Sequence, residues 1–120
     1  MIQFKRVYEA AARVDGQRFL VERLWPRGIR KASLSLTGWC KEAAPSHELR
    51  KWFNHDPARW KEFQRRYRAE LTGKPTTWQP LLAAAKADNL TLLFSAHDTE
   101  HNNAIVLKAF LDEQLKTGPK

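Results

Sequence analysis

The run LTLLFSA, Leu90 to Ala96, is almost continuously apolar and only seven residues long. That length suits a strand. A strand with apolar side chains pointing to both sides has to be buried on both, as strands of parallel sheets are. Such a strand commits the chain to covering elements in front and behind.

Candidates for those elements can be read on either side of it. IQFKRVY, Ile2 to Tyr8, alternates apolar and polar side chains and predicts a half-buried strand with Ile2, Phe4 and Val7 turned inward. Asp15-Gly16 supplies a turn, and RFLVERLW, Arg18 to Trp25, reads as a second strand that Pro26 ends. The loop PRGIRKAS follows, and a short helical segment is expected from about Ser35 to Ala43. A second short helix is expected from Pro45-Ser46 to Phe53. The clearest helix has Asp56 as N-cap and Pro57 at its first position, with Trp60, Phe63, Tyr67 and Leu71 repeating at helical spacing as far as Gly73. Pro75 to Trp78 breaks it, LLAAAKA is a further helix, and the last helix runs from about Thr99 to Lys116.

Two strands, a helical middle, then strand and helix predict an α/β fold. It forms a single domain over residues 1–120, a mainly parallel sheet of about three to four strands flanked by helices. In such sheets ligands bind beyond the carboxyl ends of the strands. Two polar segments are expected there, Arg23 to Arg30 and Ser95 to Asn103.

Charge adds a class of partner. Lys and Arg number 21 against 13 Asp and Glu, a net charge of +8, which favours phosphates on nucleic acid, lipid or a small ligand. Cys40 is the one cysteine and cannot form an internal disulfide, so it reads as a buried thiol. No apolar stretch approaches the roughly 20 residues of a membrane span, and MIQFKRVY lacks the features of a signal peptide, so a soluble cytoplasmic protein is expected.

The segment AHDTEHNN carries the densest polar chemistry. His97 and His101 have the spacing of a zinc motif, but that motif needs both histidines on one continuous helix. Here His97 directly follows a strand, so no metal site and no cofactor are expected. On one reading Asp98 or Thr99 caps the last helix and Glu100 complements its dipole. That reading leaves Asn102 and Asn103 unexplained, because successive asparagines in a first turn suggest side chains with partners. On another reading the helix start and Arg23, Arg27 or Arg30 together hold an anion. Strand alternation puts Glu22 and Arg23 on opposite faces.

The basic helix offers a nucleic-acid surface instead. Its aromatic side forms core, Glu62 and Arg66 make a favourable pair, and Lys61, Arg65 and Arg68 form a stripe with no neutralising acid.

The segments RFLVERLWPRGIRK, APSHELRKWFNHDPARWKEFQRRYRAEL and LTLLFSAHDTEHNNAIVL together resemble the YeaO-like branch of the bacterial family called domain of unknown function 488. The resemblance runs from about Phe4 to Leu111. It implies an α/β fold in which one strand ends in D-V-R with a proline soon after, and a later strand leads into an E-H-C-H-R-like segment opening a helix. Carried over by position, Glu22 stands at the acid, and Pro26 with Arg27 at the proline and the following basic residue. Leu24 falls at the arginine, or Arg23 does with a one-residue slip. Glu100 and His101 match the second motif, whereas Asn102, Asn103 and Ala104 replace its Cys, His and Arg.

These readings converge on an uncharacterised cytoplasmic protein that binds a phosphate- or nucleotide-like anion at the carboxyl edge of its sheet. Glu22, Arg23, Pro26, Arg27, Asn102 and Asn103 are the candidate ligand-binding residues, and Asp98, Glu100 and His101 the candidate catalytic ones. If the chain is an enzyme, hydrolysis or transfer at a phosphoryl or glycosidic bond is the expected class. A nucleic-acid-binding accessory protein using Lys61, Arg65 and Arg68, and a non-catalytic interaction module, are the alternatives. Oligomeric state is left open.

Overall fold

The structure, a computed structural model, describes residues 1–117. Four strands form one sheet: β1 (Ile2–Arg6), β2 (Gln17–Leu20), β3 (Gly38–Trp39) and β4 (Leu90–Phe94). Their order is β1-β4-β2-β3, and every pairing is parallel. Four helices accompany them: α1 (His47–Phe53), α2 (Trp60–Gly73), α3 (Gln79–Ala87) and α4 (Asn103–Lys116). This is the expected α/β architecture, with β4 as the wholly buried strand. None of the described helices is long and apolar enough to cross a membrane.

The two faces of the sheet are covered differently. Ile2, Val21, Leu90, Leu92 and Phe94 face one core, which holds Leu49 and Phe53 of α1, Phe63, Tyr67 and Leu71 of α2, Leu81 of α3 and Leu107 and Leu111 of α4. On the other face Val7, Leu20 and Leu93 meet only Trp25, Ile29, Leu34, Leu36 and Trp39, most of them from the long connection between β2 and β3. The β1 to β2 connection also crosses this face, where Lys5 and Arg18 grip the buried Asp15 carboxylate and Thr91 donates its hydroxyl to the Asp15 carbonyl. Among the described residues only short 3-10 turns lie there, and none of the four α-helices does. β1, β2 and β3 thus advance across the helix-free face, and the chain returns to β4 across the helical one. Reversing direction and face together keeps every crossover the same hand.

Four local readings are corrected. β1 ends at Arg6 rather than Tyr8, and β2 spans Gln17–Leu20 rather than reaching Trp25. The physical cause at β2 is a change of partners. Val21 N–H still donates to Leu93 O. The next ladder bond would run from Ser95 N–H to Val21 O, but Ser95 N–H goes to the Glu22 carboxylate at 3.0 Å and Val21 O accepts the Asn103 amide at 2.7 Å. Side chains take over the ladder, and the strand stops.

The segment expected to be helical from Ser35 to Ala43 holds β3 and a single 3-10 turn, Lys41–Ala43. It completes the open edge of β2 through Thr37 N–H to Arg18 O and Cys40 N–H to Leu20 O. Two paired residues are too few for an alternation to show in the sequence.

The last helix begins at Asn103, with the Asn102 side chain accepting from Ile105 N–H. Asp98 caps no helix. It closes a tight bend by accepting from Glu100 N–H and His101 N–H.

Gly16 has φ 63° and ψ −128°, and a Cβ there would lie 2.2 Å from the Asn89 carbonyl oxygen. Gly28 has φ 75° but open space around it. Urea unfolding should therefore show Gly16→Ala losing about 3 kcal/mol or more, from backbone strain plus a clash that only backbone movement relieves. Gly28→Ala should lose about 1 kcal/mol.

Candidate functional site

Because the strands are parallel, all four end on the same edge. β4 leaves that edge toward the helical face, whereas β1 and β2 leave it toward the helix-free face. The gaps flanking β4 are therefore where connections part, the position at which α/β sheets hold ligands.

The two gaps are filled differently. Between β1 and β4, Arg6 donates to Ala96 O at 2.9 Å and lies 3.3 Å from His97 Nδ1. Between β2 and β4, the exchanged ladder bonds draw the Glu22 carboxylate inward, and the Trp39 indole N–H holds the Glu22 carbonyl. Burial pushes the Glu22 carboxyl above its ordinary range, opposed in part by the Ser95 N–H and the charges of Arg50 and His55. Glu22 Oε2 takes the Ser95 bond, and Oε1 has no hydrogen-bond partner among the described residues.

Arg50 of α1 and His55 just after it lie near enough for their charges to favour the Glu22 carboxylate. Ser46 caps that helix by accepting from Leu49 N–H. Its other end is turned by Asn54 in the left-handed region at φ 47°, and His55 follows at φ 53°. Two successive left-handed non-glycine residues are costly and persist only where surroundings hold them. His55 sits 6.4 Å from the Phe53 ring, and Phe53 packs on Trp60 and Phe63.

Arg50 is distinctive among the cations. Lys5, Arg6, Arg18, Arg23, Arg68 and Lys108 are at least half-buried, and each has a polar partner. Arg50 is half-buried as well, and among the described residues its side chain has no hydrogen bond, ion pair or aromatic ring over it.

The β4 to α4 corner closes the gap. His101 Nδ1 lies 2.9 Å from Asp98 Oδ2, and the ring meets Trp60 edge-on at 5.1 Å. The Glu100 N–H, with the His101 ring and N–H, holds the Asp98 carboxyl below its ordinary range. His97 and His101 both precede α4 and share no helical face. Among the described residues no three His, Cys, Asp or Glu side chains converge as metal ligands.

The candidates read from the sequence thus separate into three groups. Glu22, Asp98, His101, Asn102 and Asn103 all belong to the strand ends flanking β4, with Asn102 and Asn103 engaged by Ile105 N–H and Val21 O. Glu100 is exposed at the same corner. Arg23 is committed elsewhere, donating to Ala44 O and Pro45 O and pairing with Glu42 at 3.3 Å, which ties β2 to the turn before α1. Pro26 is buried, and Arg27 is exposed beyond β1, its carbonyl accepting from the Tyr8 hydroxyl.

None of Arg50, His55 and Trp60 was read from the sequence as a site residue, and Trp60 was placed on the apolar side of its helix. The available signal was Asn54-His55-Asp56-Pro57, a polar tetrapeptide between two helices, where Asn suits a left-handed helix end.

The helical stripe is corrected. Arg65 pairs with Glu62 at 2.6 Å and Arg68 with Glu113 at 2.6 Å, leaving Lys61 as its exposed member without a carboxylate. Glu62 also pairs with Arg66 at 2.8 Å, and the Arg65 and Arg66 bonds lower its carboxyl to about 2.

A buried carboxyl raised in the fold gives a testable sign. Its charged form costs stability above the folded value, and that cost is relieved as pH falls through the folded value toward the ordinary 4.5. Glu22→Gln keeps an acceptor for Ser95 N–H and removes the charge. Thermal unfolding should find it equal to or more stable than the parent at pH 7, with the difference closing below about pH 4.5.

Comparisons with known proteins bear on the whole chain. A family model described as the inactive DUF488-N3 subclade matches residues 1–119. The uncharacterised protein YeaO of Escherichia coli (strain K12) is 47% identical over 110 residues, 92% of this chain and 96% of the relative. The uncharacterised protein Rv3073c of Mycobacterium tuberculosis (strain H37Rv) is 51% identical over 70 residues, 58% of this chain and 59% of the relative. No solved structure matches. With a family model spanning nearly its full length and a relative of that similarity, the chain belongs to the YeaO-like branch of the domain of unknown function 488 family.

Proposed function

We propose that this protein binds a small anionic, nucleotide-like ligand at the gap between β2 and β4 and does not turn it over. The observation that carries the reading is Arg50, a half-buried guanidinium with no partner beside a half-buried carboxylate. Its nitrogen atoms are open to solvent rather than buried without partners, so the oxygens of a ligand can replace the water on them. A phosphate matches its planar fork. Glu22 Oε1 is free to accept a sugar hydroxyl, and Trp60 with His101 offers an aromatic flank for a base. The positive end of α4 opens on the same corner.

Two things favour binding over reaction. The wider family's Cys, His and Arg are Asn102, Asn103 and Ala104 here, and both asparagine side chains are consumed in fixing backbone. The matching family model is itself described as an inactive subclade. The Asp98 and His101 pair then orients a ligand rather than moving its protons.

A thermal-shift titration with inorganic phosphate and nucleoside 5′-monophosphates tests this. A ligand at 100 times its Kd should add about 2.7 kcal/mol. Arg50→Met should abolish the shift while still unfolding cooperatively. No shift with any of these ligands, an Arg50→Met protein that responds like the parent, or measurable release of base or phosphate would sink the reading.

A further inference from the structure

The helix-free face carries a second feature, distinct from the β2/β4 gap. An open groove of about 500 Å³ runs between the segment after β1 and the long β2 to β3 connection, with Tyr8, Glu9, Arg18, Arg30 and Ser33 among its walls. We propose that this groove binds single-stranded nucleic acid.

Charge complementarity is the first argument. Residues 1–31 hold eight Lys and Arg against three Asp and Glu. The three acids are engaged: Asp15 by Lys5 and Arg18, Glu22 by Ser95 N–H, and Glu9, the one acid in the groove wall, by Arg6 N–H at 2.8 Å. Arg13, Arg27, Arg30 and Lys31 are exposed, and among the described residues none has a carboxylate within ion-pair distance. A backbone N–H does not cancel the Glu9 charge, but four unpaired cations against it leave this face net positive, unlike the α2 stripe, where Arg65 and Arg68 are paired.

The second argument is an aromatic platform. Tyr8 is 48% exposed, yet both ends of its ring are held. Its hydroxyl donates to Arg27 O at 3.1 Å across the groove, and the Arg6 guanidinium lies over the ring at 4.8 Å from the centroid. Arg6 is fixed in turn by Ala96 O. A cation lies over the ring and nearly half of the residue is exposed, so a base that stacks on it meets a side chain already fixed. Trp25 and Trp39, packed edge to face at 5.3 Å, cover the cluster beneath the groove and carry Lys31 and Lys41 over their rings.

Fixed aromatic faces along a cationic groove are the means by which proteins hold unpaired strands, whose bases are free to stack. An acidic peptide would use the charge and leave the platform idle. A duplex would present its phosphates and keep its bases stacked on one another.

The test is fluorescence polarisation of a labelled oligo(dT) about 12 nucleotides long, at about 50 mM salt. The parent should bind. Tyr8→Ala should weaken binding by about tenfold, and Tyr8→Trp should restore it. Arg13→Glu combined with Arg30→Glu should weaken binding and flatten its salt dependence, while Lys61→Glu on α2 should match the parent. The proposal is overturned by no binding to the parent, by Tyr8→Ala and Tyr8→Trp binding alike, by poly-glutamate or duplex displacing the probe as well as free oligo(dT) does, or by Lys61→Glu weakening it as much as the groove variants.

Discussion

The exchange of hydrogen bonds at the ends of β2 and β4 governs the carboxyl edge of the molecule. Up to Val21 and Leu93 the two strands share an ordinary parallel ladder. One residue later the backbone donor of Ser95 turns to Glu22 and the backbone acceptor of Val21 turns to Asn103. Backbone polar groups near a core have to be satisfied, so the strands can part here only because side chains supply the missing partners. Parting opens a gap at the point where the connections diverge, draws a carboxylate into it, and fixes the start of α4 against β2. Lengthening the ladder by one bond would close the gap and release both side chains.

A second constraint follows from topology. A parallel sheet is ordinarily covered on both faces, and this one has helices on a single face. The other is closed by Trp25, Ile29, Leu34, Leu36 and Trp39 over a small cluster of Val7, Leu20 and Leu93. A loop covers less area than a helix, so the polar positions Lys5, Asp15 and Arg18 on that face satisfy one another instead of meeting a core. The same shortage of cover leaves a cationic groove along the sheet. The two faces thus offer different surfaces for one physical reason, the uneven distribution of helices among the crossovers.

The sequence disclosed those parts of the fold that depend on periodicity and left hidden those that depend on one partner. α2 was legible because Trp60, Phe63, Tyr67 and Leu71 repeat over about three turns, and β4 because its run is apolar on both sides. β3 was not, since two residues carry no period and their strand character comes from the open edge of β2. The end of β2 was misplaced because RFLVERLW continues in strand-forming residues, and only the reach of Glu22 to Ser95 stops it. At the site, the two asparagines were recognised as side chains needing partners, but which atoms they meet is tertiary information. Arg23, read at the end of the second strand, and Arg27, in the loop after it, were both read as candidate anion ligands. One clamps the turn before α1 and the other lies beyond β1, because Pro26 between them turns the chain. Arg50 gave no sign at all, since an arginine without a partner is recognisable only when every possible partner has been placed.

The corner HDTEHNN now has a division of labour that bears on chemistry. Asp98 and His101 bond each other and the local backbone, and Asn102 and Asn103 bond the helix start and the neighbouring strand. A thiol and an imidazole in place of those asparagines could not make the same bonds: a thiol accepts weakly from Ile105 N–H, and an imidazole would have to reach Val21 O with a ring. The two asparagines therefore fix this corner, Asn102 at the start of α4 and Asn103 against Val21. Glu22, Arg50 and the edge-on pair of Trp60 and His101 thus surround a corner whose two asparagines are committed to backbone bonds.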